Sequence, residues 1–411
     1  MFSEGVIMRY YESAFASAVR ILLVGALVSF SMPAVAEMRV LVAVDPSDAV
    51  SNNVIGIGSL DTLSKSLNTK AIVTKTQNLS DAMRASRTVE NDVIIGPAHV
   101  TASAVSHAYK LLATTGSQQE YALVARKEIE SIEKLKGKHV YLPQQDSLPT
   151  YLAKGLIRES GLSFKSLGKV TYGRTSGAGL LSVSYGMADA AIASLADVNE
   201  WMKSHPDAVH ILKKTRPVPD GMNLMVRKDI SPIDEDNVLK WISSAEGMAS
   251  GLGRLQVAAN GDSAKFHYVA SLGIFTPNSL PNVTIVTAEQ VMDLAAKGAV
   301  IYDTRSPKEY ALEHIKGAVA MPYQEKSLKD VDYDASLDDF SVANSAPRQA
   351  PAIFLCNGPE CWKSYKASRA ALAMGFEKVY WFRGGMPEWR EKTLPVMSSL
   401  PAKTNLAAAK R

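Results

Sequence analysis

From residue 38 onward, short apolar runs alternate with stretches whose apolar side chains recur every three or four positions. Arg39-Val40-Leu41-Val42-Ala43-Val44, Ala71-Ile72-Val73-Thr74 and Asp92-Val93-Ile94-Ile95 read as buried strands. Asp45-Pro46-Ser47 closes the first of them and Gly96-Pro97 the third. Residues 60–67 and 79–85 carry helical spacing between these runs. The alternation continues with strands at 121–125 and 139–142 and a short amphipathic helix at 132–136, stopped by Gly137. Residues 234–251 predict the closing helix of a first domain, with Val238, Leu239, Ile242 and Met248 as its apolar contacts. Such alternation predicts an α/β domain on mostly parallel sheets.

A Pro/Asn/Ser stretch at 275–282 interrupts the pattern. Beyond it lie a strand start at 284–286, a helix capped by Thr287, and a buried strand at 299–305. Ser306 caps the next helix, with Pro307 at its first position. His314-Ile315-Lys316-Gly317-Ala318 predicts a turn before a short strand. The run Ala352-Ile353-Phe354-Leu355 then ends on Cys356, Asn357-Gly358-Pro359-Glu360 turns the chain, and Cys361-Trp362 opens a helical pattern closing at Gly375. Residues 395–411 are small, polar and alanine-rich, and predict a disordered tail.

A chain of 411 residues is too long for one core, so two or three domains are expected. With 46% hydrophobic and 21% charged residues it falls among globular proteins. The formal charge of +4 is spread thinly, without a basic block, which argues against nucleic acid as a partner. Arg9 and Arg20 precede an apolar run at 21–30, then Ser31-Met32-Pro33 and the small residues Ala34-Val35-Ala36. This is the pattern of a secretory signal, and its apolar core is shorter than the roughly 20 residues that cross a bilayer. The expected mature chain starts near Glu37 and is exported to the periplasm. His99, His107, His139, His205, His210 and His267 show no metal-ligand spacing, so no metal and no cofactor is expected.

Both cysteines of the chain sit in the one turn after residue 355. A thiol between a strand end and a helix N-terminus lies among backbone N–H donors at the positive end of the helix dipole, which favours the thiolate. Cys356 is therefore the candidate reactive atom. In an oxidising compartment the same pair can close a disulfide. Two further polar helix entries stand out. A helix starting near Thr150 presents the hydroxyls of Ser147 and Thr150 with free N–H groups, which serves either as an anion site or as a plain cap. Residues 171–179 form a second glycine-rich entry.

The order Asp92-Val93-Ile94-Ile95-Gly96-Pro97, Ser131-Ile132-Glu133-Lys134-Leu135-Lys136-Gly137-Lys138 and Gly186-Met187-Ala188-Asp189-Ala190-Ala191 resembles periplasmic solute-binding proteins. The type is the phosphate/phosphite/phosphonate-binding component of ABC importers. The resemblance implies two α/β lobes with a small anionic ligand in the cleft between them, and an ABC importer as partner. Carried over, the ligand-facing candidates are Ser147, Thr150, Tyr151, Arg174, Thr175, Ser176 and Asp189. Asp146-Ser147-Leu148-Pro149-Thr150 stands where the family has a Ser-Thr-Ser-Gly clamp, which counts against phosphonate itself.

Asp303-Thr304-Arg305, Glu309-Tyr310, His314-Ile315-Lys316-Gly317-Ala318, the strand-end cysteine, Gly375-Phe376, Gly384-Gly385 and Trp389 together resemble the rhodanese family. The resemblance implies a smaller α/β domain with a central parallel sheet, and Cys356 as a nucleophile that carries sulfur as a persulfide. Asn357, Gly358, Pro359 and Glu360 shape its loop, Cys361 is a second thiol, and Trp362 and Lys363 follow, Lys363 being the nearest positive charge. Asp303 and Arg305 support the loop from beneath. Pro359 removes an N–H donor and Glu360 adds a negative charge where an anion should arrive. The Cys-Trp after the loop is similar to a rhodanese-like subgroup associated with quinoprotein-dependent periplasmic oxidation, which implies such a system as partner.

The expected organisation is a signal peptide at 1–36, a two-lobed solute-binding domain at 37–275, a linker at 276–283, a rhodanese-like domain at 284–394 and the tail. Three functions stay open. The chain is a periplasmic sulfurtransferase fused to a small-anion-binding domain, with a sulfur donor and an acceptor thiol as partners. It is alternatively a solute-binding protein with a non-catalytic rhodanese-like module, or a thiol–disulfide component using Cys356 and Cys361.

Overall fold

Met38–Ala43, every residue but Arg39 buried, lies parallel to Ala71–Thr76 on one side and Val93–Gly96 on the other. The structure, a computed structural model, describes residues 37–47, 62, 63, 65 and 70–400. The signal expected at 1–36 lies outside them, as does the expected 60–67 helix apart from Thr62, Leu63 and Lys65, which are helical. Asn223–Arg227 runs antiparallel between Val93–Gly96 and Tyr109–Thr114, and Gln256–Val257 adds the edge of this six-stranded sheet. In a second sheet Tyr121–Ala125 runs antiparallel to Ala190–Ser194 and to His210–Lys214. His139–Leu142 lies parallel between Ala190–Ser194 and Lys169–Tyr172.

These two sheets are mixed, where the alternation predicted mostly parallel ones. The cause is topological. The chain leaves the first sheet through Tyr109–Thr114 and returns through Asn223–Arg227, so the outgoing and incoming strands oppose each other. The two crossings pair where they meet, Gln118–Gln119 against Val218–Pro219. Two lobes joined by a double crossing result.

The third sheet is parallel throughout, in the order Thr284–Ile285, Val379–Phe382, Ala352–Leu355, Val300–Asp303, Val319–Ala320. Its middle strand, Ala352–Leu355, is fully buried, as an unbroken apolar run in a parallel sheet must be. Helices Ala288–Ala296 and Gly385–Glu391 cover one face, where Val291, Met386 and Trp389 meet Ile301, Ile353 and Leu355. Trp362–Ala373 covers the other, with Ala367 and Ala371 against Tyr302 and Phe354. Thr287 with Gln290 and Ser306 with Glu309 form capping boxes at two helix starts.

Three expected elements differ. The 234–251 helix is two, Pro232–Ile242 and Ala245–Met248, because Ser244 accepts the Gly247 N–H and starts a new cap; Met248 is exposed. Nor does it close this part of the chain, since His267–Ser271 follows. The expected tail begins with a strand, Val396–Met397, which pairs with His314–Ile315 where a turn was expected. No helix among the described residues is long and apolar enough to cross a membrane.

Candidate functional site

Cys356 sits at the carboxyl end of the middle parallel strand, and the next residues wrap over that end. Its carbonyl accepts the Met386 N–H at 2.9 Å, and the Cys361 N–H closes the turn on Gly358 O at 3.0 Å. Two glycines make this approach feasible. Gly358 has φ +89°, and Gly385 has φ +55° with its absent Cβ position 2.1 Å from Cys356 O. Cys361 is the cap residue of the Trp362–Ala373 helix. The two sulfurs are joined in a disulfide, with Cα atoms 6.1 Å apart.

The loop is held from both sides. Asn357 donates to Glu309 Oε1 at 2.6 Å, and Arg305 Nη1 lies 3.5 Å from Asn357 Oδ1. Arg305 forks onto Asp303 with bonds of 2.9 and 2.6 Å and donates to Glu313 O, a buried pair beside the turn. Burial pushes the Glu309 carboxyl up, but Ser306 and the Asn357 amide outweigh it and hold it low. Thr276 binds Pro359 O through its N–H at 2.8 Å and its hydroxyl at 2.6 Å.

Glu360 lines the cavity beside the disulfide, yet one of its carboxylate oxygens is already taken by the other part of the chain. It is buried, with Oε1 2.7 Å from His107 Nε2 and accepting from Ser103 Oγ at 2.9 Å, both on or beside the Ala98–Val105 helix. Burial pushes its carboxyl up, and His107 ahead of Arg87 outweighs that and holds it below the usual glutamate range. A depressed folded value adds stability above the unfolded one, about 4.3, that is lost as pH falls through the folded value. Urea midpoints should therefore fall more steeply on acidification below about pH 4.3 in the native chain than in Glu360→Gln. Parallel midpoints in the two would remove Glu360 from the acid response.

Beside the disulfide lies a cavity of about 340 Å³ with walls from both parts of the chain. Ser80, Arg84, Arg87 and Gln145 form one wall; Arg305, Lys326, Ser327, Lys329 and Lys363 share the other with the cysteine turn. Trp362 is buried, and Lys154 Nζ stands 5.1 Å above its ring.

Ser147, Thr150 and Tyr151 come together at the start of the Leu148–Glu159 helix. Ser147 Oγ accepts the Thr150 N–H at 3.3 Å as a cap, and the Tyr151 hydroxyl donates to Asp146 at 2.8 Å. Lys329 Nζ reaches that same Asp146 at 2.6 Å, and Leu328 packs on the apolar core behind it. Only about 10 Å³ is left beside Thr150 and Tyr151, room for a water molecule at most. Thr175 caps the Ser176–Ser184 helix and lines a separate cavity of about 430 Å³ with Ser47, Asp197 and Trp201. Ser176 is buried with an unpartnered hydroxyl, and Arg174 is exposed and bonded to Gln77. Asp189 is not brought to either group. It lies at the opposite end of the second sheet, paired with Arg126 and accepting the His139 N–H at 2.8 Å.

Arg87, Ser103, His107 and Lys329 went unrecognised in the sequence. Ser103, His107 and Lys329 meet their partners across long chain separations, up to 257 residues for Ser103 and Glu360, and no local spacing marks any of the four.

Residues 287–392 match the family model of the rhodanese-like domain. Residues 59–257 match that of the phosphonate ABC transporter periplasmic substrate-binding protein. The chain is 32% identical over 108 residues to the thiosulfate sulfurtransferase GlpE of Pseudomonas entomophila, covering 26% of this chain and 83% of that protein. With GlpE of Pseudomonas fluorescens it shares 31% over 119 residues, or 29% and 89% of the two chains. Among solved structures, the binding component of an ABC phosphonate transporter from Pseudomonas aeruginosa aligns at 13% identity and TM-score 0.42, covering 63% of this chain and 88% of that one. A Prochlorococcus marinus protein in complex with methylphosphonate aligns at 15% and 0.42, covering 58% and 97%. Through residues 287–392 the chain belongs to the rhodanese family, and ahead of them it carries a substrate-binding domain of the periplasmic phosphonate type.

Proposed function

We propose that the protein is a periplasmic sulfurtransferase that carries sulfur as a Cys356 persulfide, joined to a domain that binds a small anion. The position of Cys356 carries this reading: it follows the central parallel strand directly, inside residues 287–392, which match the rhodanese-like family model. The disulfide sets the starting state. A dithiol reductant supplies two electrons and two protons and opens it to two thiols. The Cys356 thiolate attacks the outer sulfur of a thiosulfate-type donor, the donor's S–S bond breaks, and sulfite leaves with the electron pair. Cyanide or an acceptor thiolate then takes the outer sulfur and restores the Cys356 thiolate. Without an acceptor, the Cys361 thiolate attacks Cys356 Sγ, expels hydrosulfide and re-forms the disulfide.

The test is thiocyanate formation from thiosulfate and cyanide by the reduced full chain. Turnover is expected; its absence with every sulfane donor tried would end the proposal. The disulfide favours a second reading, a thiol–disulfide component using Cys356 and Cys361. Intact mass of protein taken from its native compartment separates the two. An added sulfur atom supports transfer, and a loss of two hydrogens without any sulfur-loaded form supports thiol–disulfide exchange.

A further inference from the structure

The cations around the 340 Å³ cavity are unevenly committed. Arg305 is paired with Asp303, Lys329 with Asp146, and Arg84 with Glu90. Arg87 is different. It keeps only 8% of its surface exposed, its Nε is buried without a hydrogen-bond partner, and it makes no ion pair among the described residues. Glu360 on the same wall gives Oε1 to Ser103 and His107, while its Oε2 is buried without a partner and the Arg87 charge helps to hold its carboxyl low. A buried guanidinium with free donors is costly unless an anion meets it. Arg87 comes from the Leu79–Thr88 helix of the substrate-binding part, yet it shares the cavity with Cys356 and Cys361.

We propose that this cavity is a composite anion site in which Arg87 of the substrate-binding part receives the anionic sulfur donor for Cys356. The ligand class is a small sulfur oxyanion of the thiosulfate type, whose planar-faced oxygens suit a guanidinium fork. Half-buried Lys363 and exposed Lys326 on the same walls add positive charge, which the carboxylates of Asp81, Glu309 and Glu325 there partly offset. The substrate-binding part thus completes the transferase site in addition to any ligand it holds itself. The proposal rests on Cys356 as the sulfur carrier.

The test uses the full chain after dithiol reduction, and two readouts. Alkylation of Cys356 by anionic iodoacetate is compared with alkylation by neutral iodoacetamide; in each the thiolate displaces iodide, and peptide mass spectrometry locates the label. Arg87→Gln should lower the iodoacetate-to-iodoacetamide rate ratio roughly fivefold or more. It should also lower kcat/KM for thiosulfate roughly tenfold or more, mainly through KM, with little change for a neutral trisulfide donor. Arg87→Lys should recover part of both, which a folding defect would not allow. An unchanged alkylation ratio, or equal losses with charged and neutral donors, overturns the site. A lowered ratio in a chain that moves no sulfur upholds the site and removes the transferase reading instead.

Discussion

Cys356→Ser is expected to bring thiosulfate-to-cyanide sulfur transfer down to background, a loss on the order of 10⁴-fold or more. Serine keeps the shape of the turn and its Gly358 and Gly385 contacts but has no thiolate to take up sulfur. Cys361→Ser should behave in the opposite way. Transfer to cyanide continues, no reducing step is required, and the persulfide on Cys356 persists because no neighbouring thiol expels hydrosulfide from it. Steady-state thiocyanate formation and intact mass read both variants. The pair of results is diagnostic because a disulfide that merely staples the loop predicts equal damage from either change. Turnover surviving in Cys356→Ser would remove this residue from the chemistry.

What was legible in the sequence was local. The cysteine turn, the Thr287 and Ser306 caps and the buried run 352–355 are all specified by residues within a few positions of one another, and the structure places them as read. The elements misjudged depended on partners elsewhere. Val396–Met397 is too short and exposed to announce itself, and it is a strand only because His314–Ile315 offers an edge. The break at Ser243–Ser244 hides inside a continuous apolar period, since Val238 and Ile242 belong to the first helix and the cap at Ser244 looks like any helical serine. Glu360 is the clearest case. Beside a reactive cysteine its charge looked adverse, and only the fold brings Ser103 and His107, 257 and 253 residues away, to bind it. Lys329 meets Asp146 across 183 residues in the same manner. Surface that one part of the chain lends to the site of another leaves no periodic signature in either.

Lys366→Met is expected to destabilise the chain by about 3–5 kcal/mol. Lys366 lies on the inner face of the Trp362–Ala373 helix, with its ammonium fully buried. Its Nζ is 2.7 Å from Glu325 Oε1 and 3.8 Å from Asp338 Oδ2, and donates to Ser327 Oγ at 2.9 Å. Asp338 in turn accepts from the Lys326 and Ser327 N–H groups at 2.6 Å each and from the Tyr323 hydroxyl at 2.9 Å. Burial pushes the Lys366 ammonium's pKa down against the pull of Glu325, so the charge costs energy to keep where it is. The net worth of such a buried cluster is small; the large effect comes from leaving two carboxylates without their cation. Its role is to fix the segment that carries Glu325, Lys326, Ser327 and Lys329 into the cavity wall beside Cys356. Two consequences separate this account from simple loss of packing. Adding Glu325→Gln and Asp338→Asn to Lys366→Met should recover a substantial part of the loss, because no charge is then stranded. The single variant should also weaken thiosulfate use, since Lys326 and Lys329 lose their anchorage. Urea unfolding followed by tryptophan fluorescence measures the first, with Trp381 and Trp362 buried in the same part of the fold. A single-variant loss below about 0.5 kcal/mol, in the range of ordinary surface substitutions, would mean that Lys366 is not the anchor of this wall.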